Sequence, residues 1–229
     1  MAQHPTEYPE GKQRGAANPS RTLRVWLSAC AFAALLLVGA VGRASGPFRI
    51  PVIFHVTQQD GQAVAPPSFI AGQLAAANEI FEPLGIELVD RERLPLPGGP
   101  AELITRADRD ALARHVRKGA IHVFVVAKLM DVDEAGRERR GVHWRPRVAP
   151  RLSFVIVSRI SASYVLAHEL GHFFGNREHS DAPGDLMSYT RADGPPFLDD
   201  TQIRRVQSRL ATVLRTGRLV PIVGDAKVD

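Results

Sequence analysis

The sequence predicts one mixed α/β (α+β) domain over residues 48–216. Two patterns of apolar residues carry this prediction: short β-branched runs of strand length alternate with longer segments in which apolar residues recur at helical spacing. Alternation of this kind is typical of a sheet packed by helices. The length agrees with this class, because 229 residues with 45% hydrophobic content suffice for one globular domain plus an appendage.

The first part of the domain alternates strands and helices. In order, we expect a strand over 48–57, a helix over 68–83, a strand over 86–91, a helix over 106–118 and a strand over 120–128. The strands are rich in β-branched and apolar residues, and the first helix carries an apolar face. Gly119 ends the second helix, since glycine readily adopts the backbone conformation that closes a helix.

The second part contains two further strands and two further helices. An edge strand is expected over 141–144 and a buried strand over 152–158, and a helix with two histidines follows directly. A loop-rich stretch separates that helix from the last one. The last helix begins at a cap formed by Asp200 or Thr201 and runs to about Arg215, because its apolar residues recur at helical spacing.

The histidine-containing helix has the spacing of a metal site. His168 and His172 are four residues apart, so on a helix they share one face a single turn apart, with Glu169 beside them. A catalytic zinc ion needs a third protein ligand and keeps its fourth position for water. Gly175 ends the helix, and the chain then turns back so that His179 comes within reach.

The motif resembles the signature of the metzincin clan of zinc metallopeptidases, and in particular its matrixin and astacin members. That signature is His-Glu-x-x-His-x-x-Gly-x-x-His followed by a turn that contains methionine. Here the run from His168 to Gly175 matches its first part, and Leu186-Met187-Ser188-Tyr189 matches the methionine turn. The resemblance implies a twisted mixed sheet with two helices, an active-site helix, a methionine turn and a small C-terminal helical subdomain.

The resemblance also implies roles for the matched residues. His168 and His172 are expected to bind Zn²⁺, and Glu169 to act as the general base. Met187 is expected to lie in a loop beneath the metal. Tyr189 is similar to the tyrosine that astacins place near the zinc, where its hydroxyl helps to stabilise the oxyanion of the tetrahedral intermediate.

The third ligand departs from the metzincin pattern by one residue. The pattern places this ligand three residues after the glycine, which is Glu178 here, and His179 follows one residue later. Both a carboxylate and an imidazole are accepted zinc ligands. We favour His179, because its distance from Met187 then resembles the matrixin spacing. Glu178 is the alternative.

Together these residues predict a zinc-dependent endopeptidase that acts on peptide or protein substrates. Zinc activates the attacking water in such enzymes, and Glu169 is expected to accept the water proton and pass it to the leaving amine. The alternative is a non-catalytic metzincin-like binding domain anchored to the membrane, and the presence of Glu169 favours the enzyme. We expect the protein to be a monomer.

An appendage precedes the domain. Residues 1–24 are rich in Pro, Gly, Gln, Arg and Asn, and predict a disordered cytoplasmic tail. Residues 25–42 carry no charge and nearly reach the length that crosses a bilayer, so they predict a retained transmembrane anchor or a cleaved signal peptide. The basic residues before this stretch favour an N-terminus in the cytoplasm and a domain outside it. Cleavage would make the domain secreted or periplasmic.

The remaining features of the sequence are less specific. The net charge is +5, but residues 45–229 carry only +2, and no nucleic-acid motif accompanies them, so we expect no nucleic-acid partner. Residues 217–229 predict a C-terminal tail. Four further histidines lie apart from any ligand spacing and are expected to be ordinary surface or core residues: His55, His115, His122 and His143.

A long loop over 131–151 is rich in arginine. We expect it to be solvated and mobile; the alternative is that it flanks the cleft and attracts acidic segments of the substrate. Its arginines are Arg137, Arg139, Arg140, Arg145, Arg147 and Arg151.

Overall fold

The computed structural model describes residues 46–223 and confirms the predicted α/β (α+β) class. The strands are β1 (Phe48–Gln59), β2 (Gln62–Ala63), β3 (Ile86–Leu96), β4 (Glu102–Leu103), β5 (Ile121–Val126), β6 (Lys128–Leu129), β7 (Gly141–Trp144) and β8 (Phe154–Ser158). The helices are α1 (Pro67–Phe81), α2 (Arg106–Ala111), α3 (Val165–Phe173) and α4 (Asp200–Arg215).

The main sheet is mixed, as the sequence predicts. Its long strands lie in the order β3-β1-β5-β8-β7, with β2 added at the end of β1. All neighbours along this path pair in parallel except β7, which runs antiparallel to β8. The edge strand β7 therefore runs against the direction of the rest of the sheet, and α3 packs beside it.

The two faces of the sheet are covered by different elements, because side chains alternate along each strand. Val123 and Val125 of β5 point to a core shared with α1, α3 and α4. Phe124 and Val126 point to the opposite core, which also contains Leu112 from the turn after α2. The His168–His172 motif on α3 is thus attached to the larger core through the buried side of its helix.

Most predicted elements begin and end within two residues of the observed bounds, and β3 and α2 differ by more. The strand expected over 86–91 continues to Leu96, because β3 pairs with β1 along its whole length although its outward-facing residues are polar. The helix expected over 106–118 ends at Ala111 and continues only as a 3₁₀ turn to His115. The cap of α4 is Asp199, whose side chain accepts a hydrogen bond from the Gln202 backbone N–H.

The C-terminal tail predicted over 217–229 starts before the packed domain ends. Leu219 is buried in the larger core and bridges to Gly119, and the Ile222 N–H donates to the Arg49 carbonyl at 2.8 Å. These contacts extend the packed domain beyond residue 216. Within residues 46–223, no helix has both the length and the apolar character needed to cross a bilayer. The segments predicted over 1–24 and 25–42 lie outside the described residues.

Two of the unassigned histidines form a buried pair. His55 Nε2 and His122 Nδ1 lie 2.8 Å apart, and the two residues are 3% and 1% exposed. Both are core residues, as expected. Burial disfavours the charged imidazolium and is the main cause that lowers the pKa of each ring to about 4.

This pair predicts a loss of stability in mild acid. The unfolded chain binds protons at both residues below about pH 6.5, whereas the folded protein binds them only near pH 4. We therefore expect the free energy of unfolding to fall between these values, by on the order of 3 kcal/mol for each ring. Urea denaturation at pH 7 and pH 4.5 measures this change, and His55→Leu/His122→Leu removes both rings together. An equal loss in the wild-type and double-variant proteins contradicts the prediction, since all other titrating groups are common to both.

Candidate active site

Helix α3 places three residues of the motif at the surface of a cleft. Its apolar side, which includes Leu166 and Leu170, is fully buried in the larger core. The positions of His168, Glu169 and His172 then follow from the helical repeat, and all three line the same cavity. This part of the site is therefore determined by one amphipathic helix.

Three imidazoles meet at the end of this helix. His168, His172 and His179 each offer a nitrogen, and these nitrogens all lie within 4.8 Å of one another. The ring centroids form a nearly regular triangle, with separations of 4.9, 5.3 and 5.0 Å. Glu178, the alternative third ligand, is exposed and does not belong to this group.

Backbone carbonyls orient two of the imidazoles. His168 Nδ1 donates to the Leu186 carbonyl at 2.7 Å, and His172 Nδ1 donates to the Asn176 carbonyl at 2.6 Å. Since a carbonyl only accepts, the proton of each neutral ring lies on Nδ1, and Nε2 keeps its lone pair. This is the tautomer that a metal-binding histidine needs.

The turn after α3 brings His179 back to the helix. Gly175 has φ 107°, a conformation that side chains rarely adopt, and it allows the Asn176 N–H to donate to the Gly171 carbonyl at 3.0 Å. One residue after His179, the Ser180 N–H donates to the Met187 carbonyl at 3.1 Å. This bond attaches the loop that carries His179 to the methionine turn.

The chemistry of this group fits Zn²⁺. Burial lowers the pKa of His168 to about 4 and also lowers the pKa of His172 and His179, so all three rings are neutral at pH 7. Neutral imidazoles bind zinc, and three protein ligands leave a fourth position for water or substrate. The cavity in front of the rings provides the space for that position.

Glu169 lies beside the imidazoles with its side chain almost fully covered. Burial disfavours the carboxylate and raises its pKa to about 8, whereas a hydrogen bond from the His143 backbone N–H acts in the opposite direction. A divalent cation held by the three histidines also favours the carboxylate. Burial is the largest of the influences on this carboxyl group.

The methionine turn lies against the underside of α3. Met187 is fully buried, and a methyl group built on Gly171 would lie 2.5 Å from its sulfur, so the helix and the turn are in close contact. Buried Asp185 accepts a hydrogen bond from the Met187 N–H at 2.7 Å and two from Gln202 Nε2 at 3.1 and 2.9 Å. The turn is therefore tied to the first turn of α4.

Solved structures of metallopeptidases share this arrangement of strands and helices. Mirolysin of Tannerella forsythia, in complex with a cleaved peptide, superposes with a TM-score of 0.56 at 13% identity, over 76% of this chain and 96% of that one. Mirolysin with a bound compound gives a TM-score of 0.57 at 12% identity and the same coverage. The fold is that of the metzincin metallopeptidases.

A longer metzincin neighbour is metalloproteinase-II of Bacteroides fragilis. It matches with a TM-score of 0.52 at 17% identity, over 73% of this chain. This chain spans about half of the length of that protein, 55%. No protein-family model matches the sequence, and no curated protein does so either. The resemblance to metzincins in the sequence is thus confirmed at the level of the fold.

Tyr189 lies at the mouth of the metzincin cleft. Its ring centroid is 4.4 Å from that of His179 and 5.9 Å from that of His168, and the residue is 64% exposed. The exposure leaves the phenol accessible to a molecule in the cleft. The structure therefore brings Tyr189 into the same cleft as the three histidines and Glu169.

The cleft has a volume of about 380 Å³, and the edge strand β7 forms one wall. The loop over 131–151 flanks this cleft through Asp131, Arg139 and Arg145. This position is the alternative that the sequence offers to a solvated, mobile loop. Arg139 Nε is held by the buried Asp131 carboxylate at 2.6 Å. His143, which the sequence predicts to be an ordinary surface or core residue, also lines the cleft.

Gly141 begins the strand β7 at its contact with α3. A methyl group there would lie 2.6 Å from Val165 Cγ1 and 2.9 Å from Glu169 Cγ. Both neighbours are buried, so we expect Gly141→Ala to lower the free energy of unfolding by about 1–3 kcal/mol. Urea denaturation measures this. The control is Gly72→Ala on α1, where nothing lies within 4 Å of the added methyl and the change should be neutral or stabilising. Equal effects at both sites contradict the prediction.

Proposed function

We propose that this protein is a zinc-dependent endopeptidase. The observation that carries the proposal is the group of three neutral imidazoles, His168, His172 and His179, within 4.8 Å of one another and adjoining a buried carboxylate in an open cleft. The metzincin fold supports it, because metallopeptidases with this fold have been solved. Zn²⁺ is the cofactor that these ligands favour.

The residues of the cleft have distinct tasks in this proposal. Zinc, when bound, polarises the scissile carbonyl and makes water more acidic. Glu169 accepts the proton of the attacking water and transfers it to the leaving amine. The Tyr189 hydroxyl donates a hydrogen bond to the oxygen that becomes negative during attack. The carbonyls of Leu186 and Asn176 keep the imidazoles in the orientation that exposes Nε2.

The edge strand β7 orients the substrate. Within residues 46–223 it pairs only with β8, so the backbone groups on its other edge are available on the side of the cleft. An extended peptide adds to such an edge through main-chain hydrogen bonds. This arrangement favours peptide or protein substrates, and the mirolysin structure with a cleaved peptide is consistent with it. The partners we propose are peptides, with the protein acting as a monomer.

The location of the protein is part of the same proposal. The uncharged stretch over 25–42, preceded by basic residues, supports a single-pass anchor that holds the catalytic domain outside the cytoplasm. A cleaved signal peptide, and a secreted or periplasmic domain, is the alternative. Carbonate extraction of membranes from expressing cells separates the two, because only an anchored chain stays in the pellet.

Metal analysis and a peptide assay test the proposed activity. We expect about one zinc per chain and cleavage of a quenched fluorescent peptide library, with activity lost on addition of 1,10-phenanthroline and restored by added zinc. A protein that binds zinc and cleaves no member of the library is instead the non-catalytic binding domain. A protein that cleaves peptides without any metal contradicts the zinc mechanism.

A further inference from the structure

Arginine side chains collect in a second cavity that adjoins the active-site cleft. This cavity has a volume of about 420 Å³ and shares Arg145 with the cleft. We call it the arginine groove and define it by Arg145, Arg151, Arg209 and Arg218. The groove is lined by the segment 116–120 before β5, the chain between β7 and β8, the end of α3, one side of α4 and Arg218 after it.

Arg117 and Lys118 also line this cavity, and Arg117 pairs with Glu92, but the four arginines that define the groove have no carboxylate partner within residues 46–223. Of the six ion pairs among residues 46–223, none involves the four arginines, and no Asp or Glu lines the groove. Arg218 donates to the hydroxyl of the buried Ser153 and lies 5.5 Å above the ring of Phe173. Burial, with Arg209 and Arg145 nearby, lowers the pKa of Arg218 to about 10.

The groove begins directly beside the reacting groups. Phe173, in its wall, follows the proposed ligand His172 on α3, and Arg145 follows the last residue of β7. The His143 ring lies 5.8 Å from the Phe173 ring, and its buried Nε2 has no hydrogen-bond partner within residues 46–223. Arg177 also lines the cleft and is exposed. A peptide paired with β7 therefore passes these cationic groups close to the bond that is cut.

We propose that the arginine groove is a specificity subsite that binds an acidic side chain of the peptide substrate. Guanidinium groups bind carboxylates through paired hydrogen bonds, and several arginines without carboxylate partners gain most from such a ligand. Arg139 contributes less, because Asp131 already neutralises it. The continuity of the groove with the cleft favours a peptide over a lipid headgroup. The inference rests on the peptidase function proposed above and specifies its substrate class.

The test compares two fluorescent peptide pools that differ only in Glu or Gln at the positions flanking the scissile bond. Binding is measured by anisotropy with the zinc-loaded full chain carrying Glu169→Gln, so that cleavage does not interfere. We expect the Glu pool to bind about tenfold more tightly, the effect of one or two partly exposed charge contacts. Arg145→Gln/Arg209→Gln should bring this ratio close to one. Arg147→Gln, in the same loop but outside both cavities, should leave it unchanged.

Three results overturn the subsite. The first is equal affinity for the Glu and Gln pools. The second is a loss of Glu preference with Arg147→Gln as large as that with Arg145→Gln/Arg209→Gln. The third is binding to phosphatidylglycerol vesicles that depends on Arg145 and Arg209, with no higher affinity for the Glu pool. The first comparison needs no arginine variant, so it stands even if the double variant does not fold. A different result would contradict the peptidase proposal alone: Glu peptides bind more tightly than Gln peptides, but the wild-type protein does not cleave them.

Discussion

We expect Glu169→Gln to abolish most peptidase activity while zinc binding remains. Glutamine keeps the size of the side chain and its place beside the three imidazoles, but it does not accept a proton from water. General acid–base catalysis contributes about 10²–10⁴-fold, so kcat should fall by a factor in that range. The measurement is kcat on a fluorogenic peptide together with zinc content by mass spectrometry.

Glu178→Gln is the matched control for this variant. Glu178 is exposed, lies outside the group of imidazoles, and its replacement should leave both turnover and zinc content at the wild-type level. A Glu169→Gln protein that keeps turnover within a factor of about three of wild type would show that another group accepts the proton. Loss of zinc together with turnover would show that Glu169 supports the metal site instead.

The second large effect is expected at the third ligand. His179→Ala should weaken zinc binding by more than about a hundredfold, because even the loss of a group that only hydrogen-bonds a ligand costs 10–100-fold. Glu178→Ala should bind zinc as the wild-type protein does. Competition with a chromophoric chelator measures both affinities, and peptide cleavage should fall only with His179→Ala.

These two variants also test whether His179 or Glu178 is the third ligand, a choice that the sequence leaves open. The triangle of ring centroids at 4.9, 5.3 and 5.0 Å favours the imidazole of His179. If Glu178→Ala loses zinc and His179→Ala retains it, the carboxylate is the ligand and the loop must rearrange on metal binding. The proposed catalytic role of Glu169 does not depend on this outcome.

Local features of the sequence predicted the fold class and the helical part of the site. The pair His168 and His172 on α3 needed only a four-residue spacing. The strands β5, β7 and β8 were found within two residues of their observed bounds. The extension of β3 was missed, since its outward residues are polar and its pairing partner is β1, more than thirty residues earlier.

Long-range contacts account for what was missed at the site. Asp185 and Gln202, which tie the methionine turn to α4, are 17 residues apart. Gly141, which allows β7 to approach Glu169, is 28 residues from it. One local signal existed: an aspartate two residues before Met187 is typical of a side chain that bonds the backbone of a turn. The arginine groove has no sequence signature, because separate segments of the chain from residue 116 to residue 218 contribute to it.

The amino-acid sequence alone determined which chemistry this protein has available: two imidazoles and a carboxylate on one helical face, a glycine that ends the helix and a methionine turn. Helical periodicity is a local property, and it needs no knowledge of the rest of the chain. Only the tertiary structure decided which later residue completes the group, since the Ser180–Met187 hydrogen bond between two loops places His179, and not Glu178, beside the helix. The tertiary structure also decided which arginines of the 131–151 loop face the cleft. Their charge is the same, and they differ only in the residues that they pack against.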